Sequence, residues 1–218
     1  MDKNNKQHVE LPNDLAEVKF INPKDQLIYV AIRKFMNKKT NEAYPSLDTI
    51  HKLTGMYIGG IRKCIDNLVK SHFLEVRKEN GRNVYKFTKP DTFEPFSYEF
   101  LEKKDLTTNE KAYLVATQQF MFKEDGLGKM SFSDKEISEK INMPKSTIGD
   151  INRSLVAKNY LSTQIVPNSD GELVKQKTYD LNKLGQAIIF VLKKHEDDIE
   201  ELKRKYVELE EKIKKLEG

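Results

Sequence analysis

An internal repeat constrains the fold more than any other feature of this 218-residue chain. The segment Tyr29–Met36 (YVAIRKFM) corresponds to Leu114–Met121 (LVATQQFM) at an offset of 85 positions. The segment Ile50–Ile61 (IHKLTGMYIGGI) corresponds to Ile137–Ile148 (ISEKINMPKSTI) at an offset of 87, so we expect a short insertion in the loop KEDGLGKM. Because apolar residues recur at equivalent positions, the pattern predicts two copies of one small fold.

The first repeat contains a helical period with clear start and stop signals. A first helix follows Asn22-Pro23, and Ser46 is placed to cap a short second helix. A tight turn at 54–56 (Thr-Gly-Met) leads to a longer third helix. The apolar residues that we expect this third helix to bury are Ile58, Ile61, Ile65 and Leu68.

The second repeat shows the same signals at equivalent places. A helix follows Thr107-Thr108, and Ser133 with Glu136 predicts a capping box for the next one. A turn at 142–144 then places Pro144 in the first turn of the third helix, where its missing N–H costs nothing. The residues that we expect this helix to bury are Ile148, Ile151 and Leu155.

Each repeat ends in a segment that predicts two antiparallel strands. In the first repeat, Asn80-Gly81 separates two strand-like runs, which is the strongest short signal for a hairpin. Asp170-Gly171 marks a longer hairpin tip in the second. The order helix, helix, turn, helix, hairpin predicts a winged helix-turn-helix. We therefore predict an α+β fold, mainly α with small β-hairpins, with two tandem winged helix-turn-helix domains and a C-terminal coiled-coil helix.

Heptad spacing predicts the coiled coil, because apolar residues alternate three and four positions apart near the C-terminus. These dimerisation candidates are Leu192, Ile199, Leu202, Tyr206, Leu209, Ile213 and Leu216. A homodimer is the expected result, and packing against the chain's own domains is the alternative. The five predicted segments are an N-terminal extension (1–20), winged helix 1 (21–90), an acidic and aromatic linker (91–105), winged helix 2 (106–181) and the coiled-coil helix (182–218).

Positive charge is concentrated in the first repeat. Residues 21–90 contain 14 lysines and arginines against 6 aspartates and glutamates, whereas residues 106–181 contain 10 of each. A local excess of this kind favours a polyanionic partner. The first repeat is therefore the expected main site of DNA binding.

The run LTGMYIGGIRKCIDNLVKSHFLEVRKENGRNVYKF (53–87) resembles the helix-turn-helix domains of phage, plasmid and low-GC bacterial regulators and replication initiators, including DnaD-like and MarR-like groups. The resemblance covers residues 21–89 well and 106–181 more loosely. It implies binding of double-stranded DNA, with the third helix in the major groove and the hairpin on phosphate or in the minor groove. Copy one departs from the family at Gly59 and Gly60, where serine or threonine is usual.

The solvent-facing residues of these elements are the candidate DNA contacts. In the first repeat they are Thr49, Lys52, Tyr57, Gly59, Gly60, Arg62, Lys63, Arg77, Lys78, Arg82 and Lys86. Arg62 could reach a guanine edge or a phosphate, and Arg82 is the candidate for minor-groove insertion, which AT-rich tracts favour. The polar side of the first helix, with Arg33, Lys34, Lys38 and Lys39, could flank the groove. The two glycines either allow close approach to DNA or relieve crowding against the preceding helix.

In the second repeat, the candidate DNA contacts are Lys145, Ser146, Thr147, Asn152 and Arg153, with Lys175 and Lys177 along the hairpin. Because its charge is balanced, we expect weaker nonspecific attraction to DNA. A protein-binding or dimerising role for this repeat is the alternative.

Several classes of chemistry lack a signal in the sequence. The single cysteine, Cys64, allows no intrachain disulfide, and the four histidines have no metal-ligand spacing. There is no phosphate-binding GxxxxGK[ST] motif and no apolar run of membrane-spanning length. We therefore expect a cytoplasmic, DNA-associated protein that is not an enzyme and uses no metal, cofactor or small-molecule ligand.

The function predicted from these features is sequence-specific binding of double-stranded DNA by a dimeric transcriptional regulator. Helix 57–70 would enter the major groove, and the wing 77–86 would follow phosphate or the minor groove. Two alternatives stay open. One is a plasmid or phage replication initiator or partition protein that binds iterated repeats, and the other is an adaptor that tethers a protein assembly to DNA.

Overall fold

Two helices that are buried on nearly every side form the centre of the molecule. The computed structural model describes residues 8–89, 92–97, 99–168, 170–185 and 199–206. Helix α1 (Pro23–Arg33) packs against helix α4 (Thr108–Thr117), and each begins with a capping box. The sequence predicts both helices, but their burial on all faces arises from contact with each other and with the rest of each repeat. The buried residues of both repeats form one continuous core.

The first unit (residues 21–89) has the predicted order of elements. They are α1, β2 (Glu42–Ala43), α2 (Leu47–Thr54), α3 (Ile58–Lys70), β3 (Leu74–Glu79) and β4 (Arg82–Phe87). The strands form a three-stranded sheet in the order β2-β4-β3. The turn between β3 and β4 has positive φ at Asn80 and Gly81, which confirms the predicted hairpin, called here the first hairpin.

The second unit (residues 106–184) repeats this order with additions. Its elements are α4, β6 (Phe122–Glu124), β7 (Leu127–Met130), α5 (Asp134–Ile141), α6 (Lys145–Ala157), β8 (Leu161–Pro167), β9 (Leu173–Asp180) and α7 (Leu181–Leu184). The sheet order is β6-β7-β9-β8, and β8 with β9 forms the second hairpin. The predicted loop KEDGLGKM is instead a β-hairpin that joins this sheet, with Gly126 at a φ of +76° in its turn.

The N-terminal extension and the linker pair with each other, which the sequence did not indicate. Strand β1 (His8–Pro12) runs antiparallel to β5 (Phe93–Ser97). Phe96 and Phe100 make an edge-to-face contact with ring centroids 4.8 Å apart, and both line a small cavity with Leu114 of the second unit. Because β1 also contacts α1, this strand pair bridges the two units.

The second unit also holds the turn region of the first. The Lys111 ammonium of α4 donates to the carbonyl oxygens of Leu53 (2.9 Å) and Leu101 (2.6 Å). The Thr108 hydroxyl donates to the carbonyl oxygen of Thr54 (2.9 Å). Leu53 and Thr54 are the last residues of α2, so no N–H group within the helix donates to their carbonyl oxygens. Helix α4 therefore completes the hydrogen bonding at the C-terminus of α2.

Two expectations about single residues differ from the structure. Ile58 is 38% exposed rather than buried, because it lies at the first position of α3 on the side of the first hairpin. Pro144 is the N-cap residue of α6 rather than a residue of its first turn. The capping box at Ser133 and Glu136 and the burial of Ile148, Ile151 and Leu155 are confirmed.

Candidate nucleic-acid interface

The turn between α2 and α3 is fixed by its own side chains. Gly55 ends α2 at a φ of +73°, a conformation that glycine adopts without strain. The Thr54 hydroxyl donates to the carbonyl oxygen of Ile50 (2.8 Å) and accepts from the N–H of Met56 (3.2 Å). His51 Nδ1 lies 2.7 Å from the carbonyl oxygen of Met56. These bonds set the direction in which α3 leaves the turn.

Helix α3 separates its residues into three groups. The core side consists of Ile61, Cys64, Ile65 and Leu68, which are buried. Gly59, Lys63 and Asp66 lie opposite them and are exposed, because they are spaced along the other side of a 3.6-residue period. Arg62 lies on the flank that faces the first hairpin. The outward side and this flank are therefore open to a ligand.

An open cleft of about 1020 Å³ separates this flank from the first hairpin. Three cationic side chains line it: Arg62 from α3, and Lys78 and Arg82 from the hairpin. Its other lining residues are Phe35, Tyr44, Pro45, Ser46, Leu47, Thr49, Gly81 and Asn83. None of these residues is acidic, and Ser46 caps the N-terminus of α2, so the cleft is suited to an anion.

Ion pairing divides the predicted basic contacts into two groups. Arg77 pairs with Glu42 (2.7 Å), Lys52 with Asp48 (2.7 Å), and Lys86 with Glu75 (3.5 Å). The hydrogen bond from Arg77 lowers the pKa of the Glu42 carboxyl group. By contrast, no described acidic residue pairs with the remaining members of the set, which are Arg62, Lys63, Lys78 and Arg82. These four are therefore the cations most available to a partner.

The polar side of α1 does not flank this surface as expected. Arg33 is buried, donates to the Tyr29 hydroxyl (2.9 Å) and forms an ion pair with Glu10 of β1. Its guanidinium carbon also lies 5.0 Å from the centroid of the Phe87 ring. Lys34 pairs with Glu102. The strand β1, which was not predicted, supplies the partner of Arg33, whereas the partner of Lys34 comes from the linker segment 91–105, so both cations are engaged within the chain.

The Tyr57 ring explains the crowding at the start of α3. Tyr57 is the N-cap residue, is 74% exposed, and extends its ring across the next turn of backbone. A Cβ at Gly59 would lie 3.1 Å from Cε2 of this ring, and a Cβ at Gly60 would lie 3.4 Å from Cε1 and Cζ. The side chain that a Cβ at either glycine would crowd is therefore Tyr57 at the start of α3 itself, and not the preceding helix α2 as expected.

The predicted contacts of the second unit have different surroundings. Lys145 and Ser146 are exposed and Thr147 is half-buried at the start of α6, and Arg153 is exposed but pairs with Asp150. The Asn152 amide donates to Asp134 Oδ1 (3.0 Å). Lys177 is buried, pairs with Asp134 (3.1 Å) and donates to the carbonyl oxygen of Phe132 (2.7 Å), so it does not lie along the hairpin surface as expected.

Three dimerisation candidates lie in the C-terminal helix 199–206. Ile199, Leu202 and Tyr206 are 50%, 65% and 64% exposed, and their spacing places them on one side of the helix. The other candidates, Leu192, Leu209, Ile213 and Leu216, lie outside the described residues. Across the described ranges, no helix combines the length and apolar character that a membrane crossing needs. In the same ranges, no cluster of three or more His, Cys, Asp or Glu side chains could hold a metal ion.

Sequence reasoning missed part of the cleft. Phe35, Tyr44 and Asn83 line it, and Phe35 and Tyr44 are 39% and 50% exposed. Phe35 follows α1, which ends at Arg33, although the helical period included it. The signal that could have indicated these residues is the run Tyr44-Pro45-Ser46, an exposed aromatic immediately before a helix cap.

Residues 19–74 match a family model described as a helix-turn-helix domain. The match covers α1, α2 and α3 and ends at the first residue of β3. No curated protein matches the chain. The matched region is a helix-turn-helix domain, a kind of domain that suggests binding of double-stranded DNA, and it carries the cleft residue Arg62 and the exposed side of α3.

Proposed function

We propose that the chain is a sequence-specific double-stranded DNA-binding protein that acts as a dimeric transcriptional regulator. The observation that carries the proposal is the cleft between α3 and the first hairpin, where Arg62, Lys78 and Arg82 converge without a carboxylate among the lining residues. DNA is the polyanion whose backbone fits an open, cationic channel beside a helix-turn-helix. In this proposal the first hairpin is a wing.

The geometry favours separate tasks for the residues of α3. The outward residues, Gly59, Lys63 and Asp66, face the major groove and its base edges. Arg62 faces the hairpin, so in this proposal it holds a phosphate together with Lys78 and Arg82 rather than a guanine. The N-terminus of α2, capped by Ser46, adds backbone N–H groups on the same side.

Dimerisation is the part of the proposal that gives two half-sites. The exposed residues Ile199, Leu202 and Tyr206 support it, because an apolar stripe on an otherwise charged helix is stabilised by a partner helix. A symmetric dimer would place two copies of the cleft on one duplex and favour a repeated or inverted target.

Selection of duplex DNA from a random pool, followed by fluorescence anisotropy, tests the proposal. The expected result is an enriched motif with two half-sites, and binding that weakens as salt is raised. Measuring the salt dependence of the selected site also counts the phosphates neutralised. Failure to bind any duplex at low salt would overturn the proposal.

One observation favours a second role, that of an adaptor that holds a protein partner near DNA. The second hairpin exposes Ile165 (63%) and Leu173 (75%), where the first hairpin carries charged residues. Exposed apolar side chains on one hairpin are typical of protein contacts. Footprinting with the full chain and with an Ile165→Ser/Leu173→Ser variant tests this, since an adaptor role predicts an unchanged footprint and loss of the partner. Neither role involves a catalytic step or a cofactor.

A further inference from the structure

The glycine pair at the start of α3 is costly unless it serves a neighbour. Glycine inside a helix is less favourable than alanine by about 1 kcal/mol, and Gly59 and Gly60 are consecutive. Both would place a Cβ within 3.1–3.4 Å of the Tyr57 ring, and Gly60 also within 3.3 Å of Met56 Cε. The ring atoms that these positions approach belong to both edges of the ring. The ring therefore extends across the two glycines, one side against backbone and the rest in solvent.

The second repeat supplies an internal comparison. Pro144 occupies the position of Tyr57, and Ser146 and Thr147 occupy the positions of Gly59 and Gly60. Helix α6 has the same length as α3 and begins at the corresponding residue. In the second repeat, which lacks the aromatic ring, the two positions equivalent to the glycines therefore carry side chains. The absence of side chains at positions 59 and 60 thus goes together with the ring, and not with the helix-turn-helix fold itself.

Exposure indicates that the ring serves a partner rather than the core. Tyr57 is the most exposed aromatic residue among the described large apolar side chains, at 74%. Its hydroxyl makes no hydrogen bond with a described residue. It lies at the N-terminal tip of α3, the part of the helix that would enter the major groove first. The apolar group on base edges in that groove is the thymine C5-methyl.

We propose that the Tyr57 ring, held against Gly59 and Gly60, reads thymine methyl groups and so determines part of the sequence specificity. This inference rests on the proposed DNA binding and adds the base that the helix tip selects. A ring fixed against backbone loses little conformational entropy on contact, and its exposed side offers a flat apolar surface to a methyl group. Loss of one such contact corresponds to about a fourfold loss of affinity.

The test compares the selected duplex with versions in which single thymines are replaced by deoxyuridine, which removes only the methyl group. For the natural chain, we expect one or two replacements to weaken binding about fourfold each. For Tyr57→Ala the same replacements should have no effect, and Tyr57→Phe should behave as the natural chain. Equal effects in the natural chain and in Tyr57→Ala, or no effect at any thymine, would overturn the inference.

A second pair of variants tests the role of the glycines. Gly59→Ser/Gly60→Thr gives α3 the residues that α6 carries, so the chain should fold at least as stably while the ring is displaced. Because displacing the ring has no effect once the ring is gone, we expect the loss of affinity in the triple variant with Tyr57→Ala to be about fourfold smaller than the product of the two separate losses. Additive losses in both backgrounds would contradict the inference. If the natural chain binds no duplex at all, the proposed function itself fails, which distinguishes the two results.

Discussion

The two units share an order of elements, but equivalent positions carry different chemistry. Arg62 corresponds to Gly149, and Lys78 corresponds to Ile165. Within the second unit, a carboxylate near the start of α5, Asp134, accepts from Asn152 and pairs with the buried Lys177. Two of the three positions that carry the cleft cations in the first unit are therefore uncharged in the second unit, which instead has an internal ion pair at the start of α5.

The two units show that the helices of the core can be retained while the exposed residues beside the third helix change. The core of both units keeps the capped first helix and the buried side of the third helix. The three cationic residues of the cleft lie on solvent-facing positions, where substitution costs little stability. The second unit contributes Lys111, whose ammonium group donates a hydrogen bond to the last turn of α2. It thus supports the helix-turn-helix of the first unit.

The largest expected effect comes from removing the cationic cleft. In Arg62→Ala/Lys78→Ala/Arg82→Ala, we expect a roughly hundredfold loss of affinity at low salt and a salt slope smaller by about 3, since three phosphate contacts are lost. The measurement is fluorescence anisotropy over a series of salt concentrations. The matched control removes three exposed lysines that are not among the predicted DNA contacts, at positions 104, 135 and 140. Equal losses in both variants would show that total charge, and not the cleft, attracts DNA.

The next effect concerns the support that the second unit gives to the first. Lys111→Met leaves the carbonyl oxygens of Leu53 and Leu101 without the donor that they share. We expect the free energy of unfolding to fall by about 2 kcal/mol, because buried acceptors without partners are costly. Urea denaturation measures it, with the exposed residue Lys104 changed to Met as the control. A change equal to that of the control would show that this contact does not join the units.

Local signals predicted most of the helices and the first hairpin, because caps, αL residues and turns depend on adjacent residues. The pairing of β1 with β5 was not predictable in this way, since it joins segments far apart in the chain. The same reason explains why Arg33 was assigned to an exposed side: its partner Glu10 lies on β1.

The sequence predicted which basic residues surround the candidate site, but not which of them form ion pairs within the chain. Arg62, Lys78 and Arg82 belonged to the predicted set, but so did Lys52, Arg77 and Lys86. The partner of Arg77, Glu42, comes from the short strand β2, which the sequence did not indicate. The width of the cleft depends on the orientation of the first hairpin relative to α3, and no local sequence pattern determines that orientation.

A smaller effect on stability is expected from the two buried carboxyl groups at the starts of α1 and α4, whose pKa values shift in opposite directions. Burial raises the pKa of Asp25, whose hydrogen bonds include the neutral amide of Asn67. Burial also acts on Glu110, but the Lys158 ammonium (2.8 Å) and hydrogen bonds outweigh it and lower the pKa. The contribution of Glu110 to stability is therefore complete above its usual pKa of 4.5 and is lost as the pH falls through the folded-state pKa.

The variant Lys158→Gln isolates this contribution. We expect it to lower the free energy of unfolding by about 1 kcal/mol at neutral pH, because the ion pair and its hydrogen bonds are lost. The difference from the natural chain should disappear as the pH falls below the folded-state pKa of Glu110, where its carboxyl group is protonated in both the folded and the unfolded state. Asn67→Ala removes a hydrogen bond that favours the ionised form of Asp25, so its cost should likewise shrink as the pH falls. A difference that persists in acid would contradict the assignment of the pair.

The smallest effect tests why the third helices differ in glycine. Gly149 of α6 has open space at its Cβ position, with Arg153 Nη1 3.8 Å away, so Gly149→Ala should stabilise the chain by about 1 kcal/mol through helix propensity alone. Gly59→Ala should gain about half as much, because the new Cβ presses the Tyr57 ring outward from 3.1 Å. In a Tyr57→Ala background the Gly59→Ala gain should rise to that of Gly149→Ala. Urea denaturation of the four variants measures these differences, and equal gains at both glycines in the natural background would mean that the ring does not constrain α3.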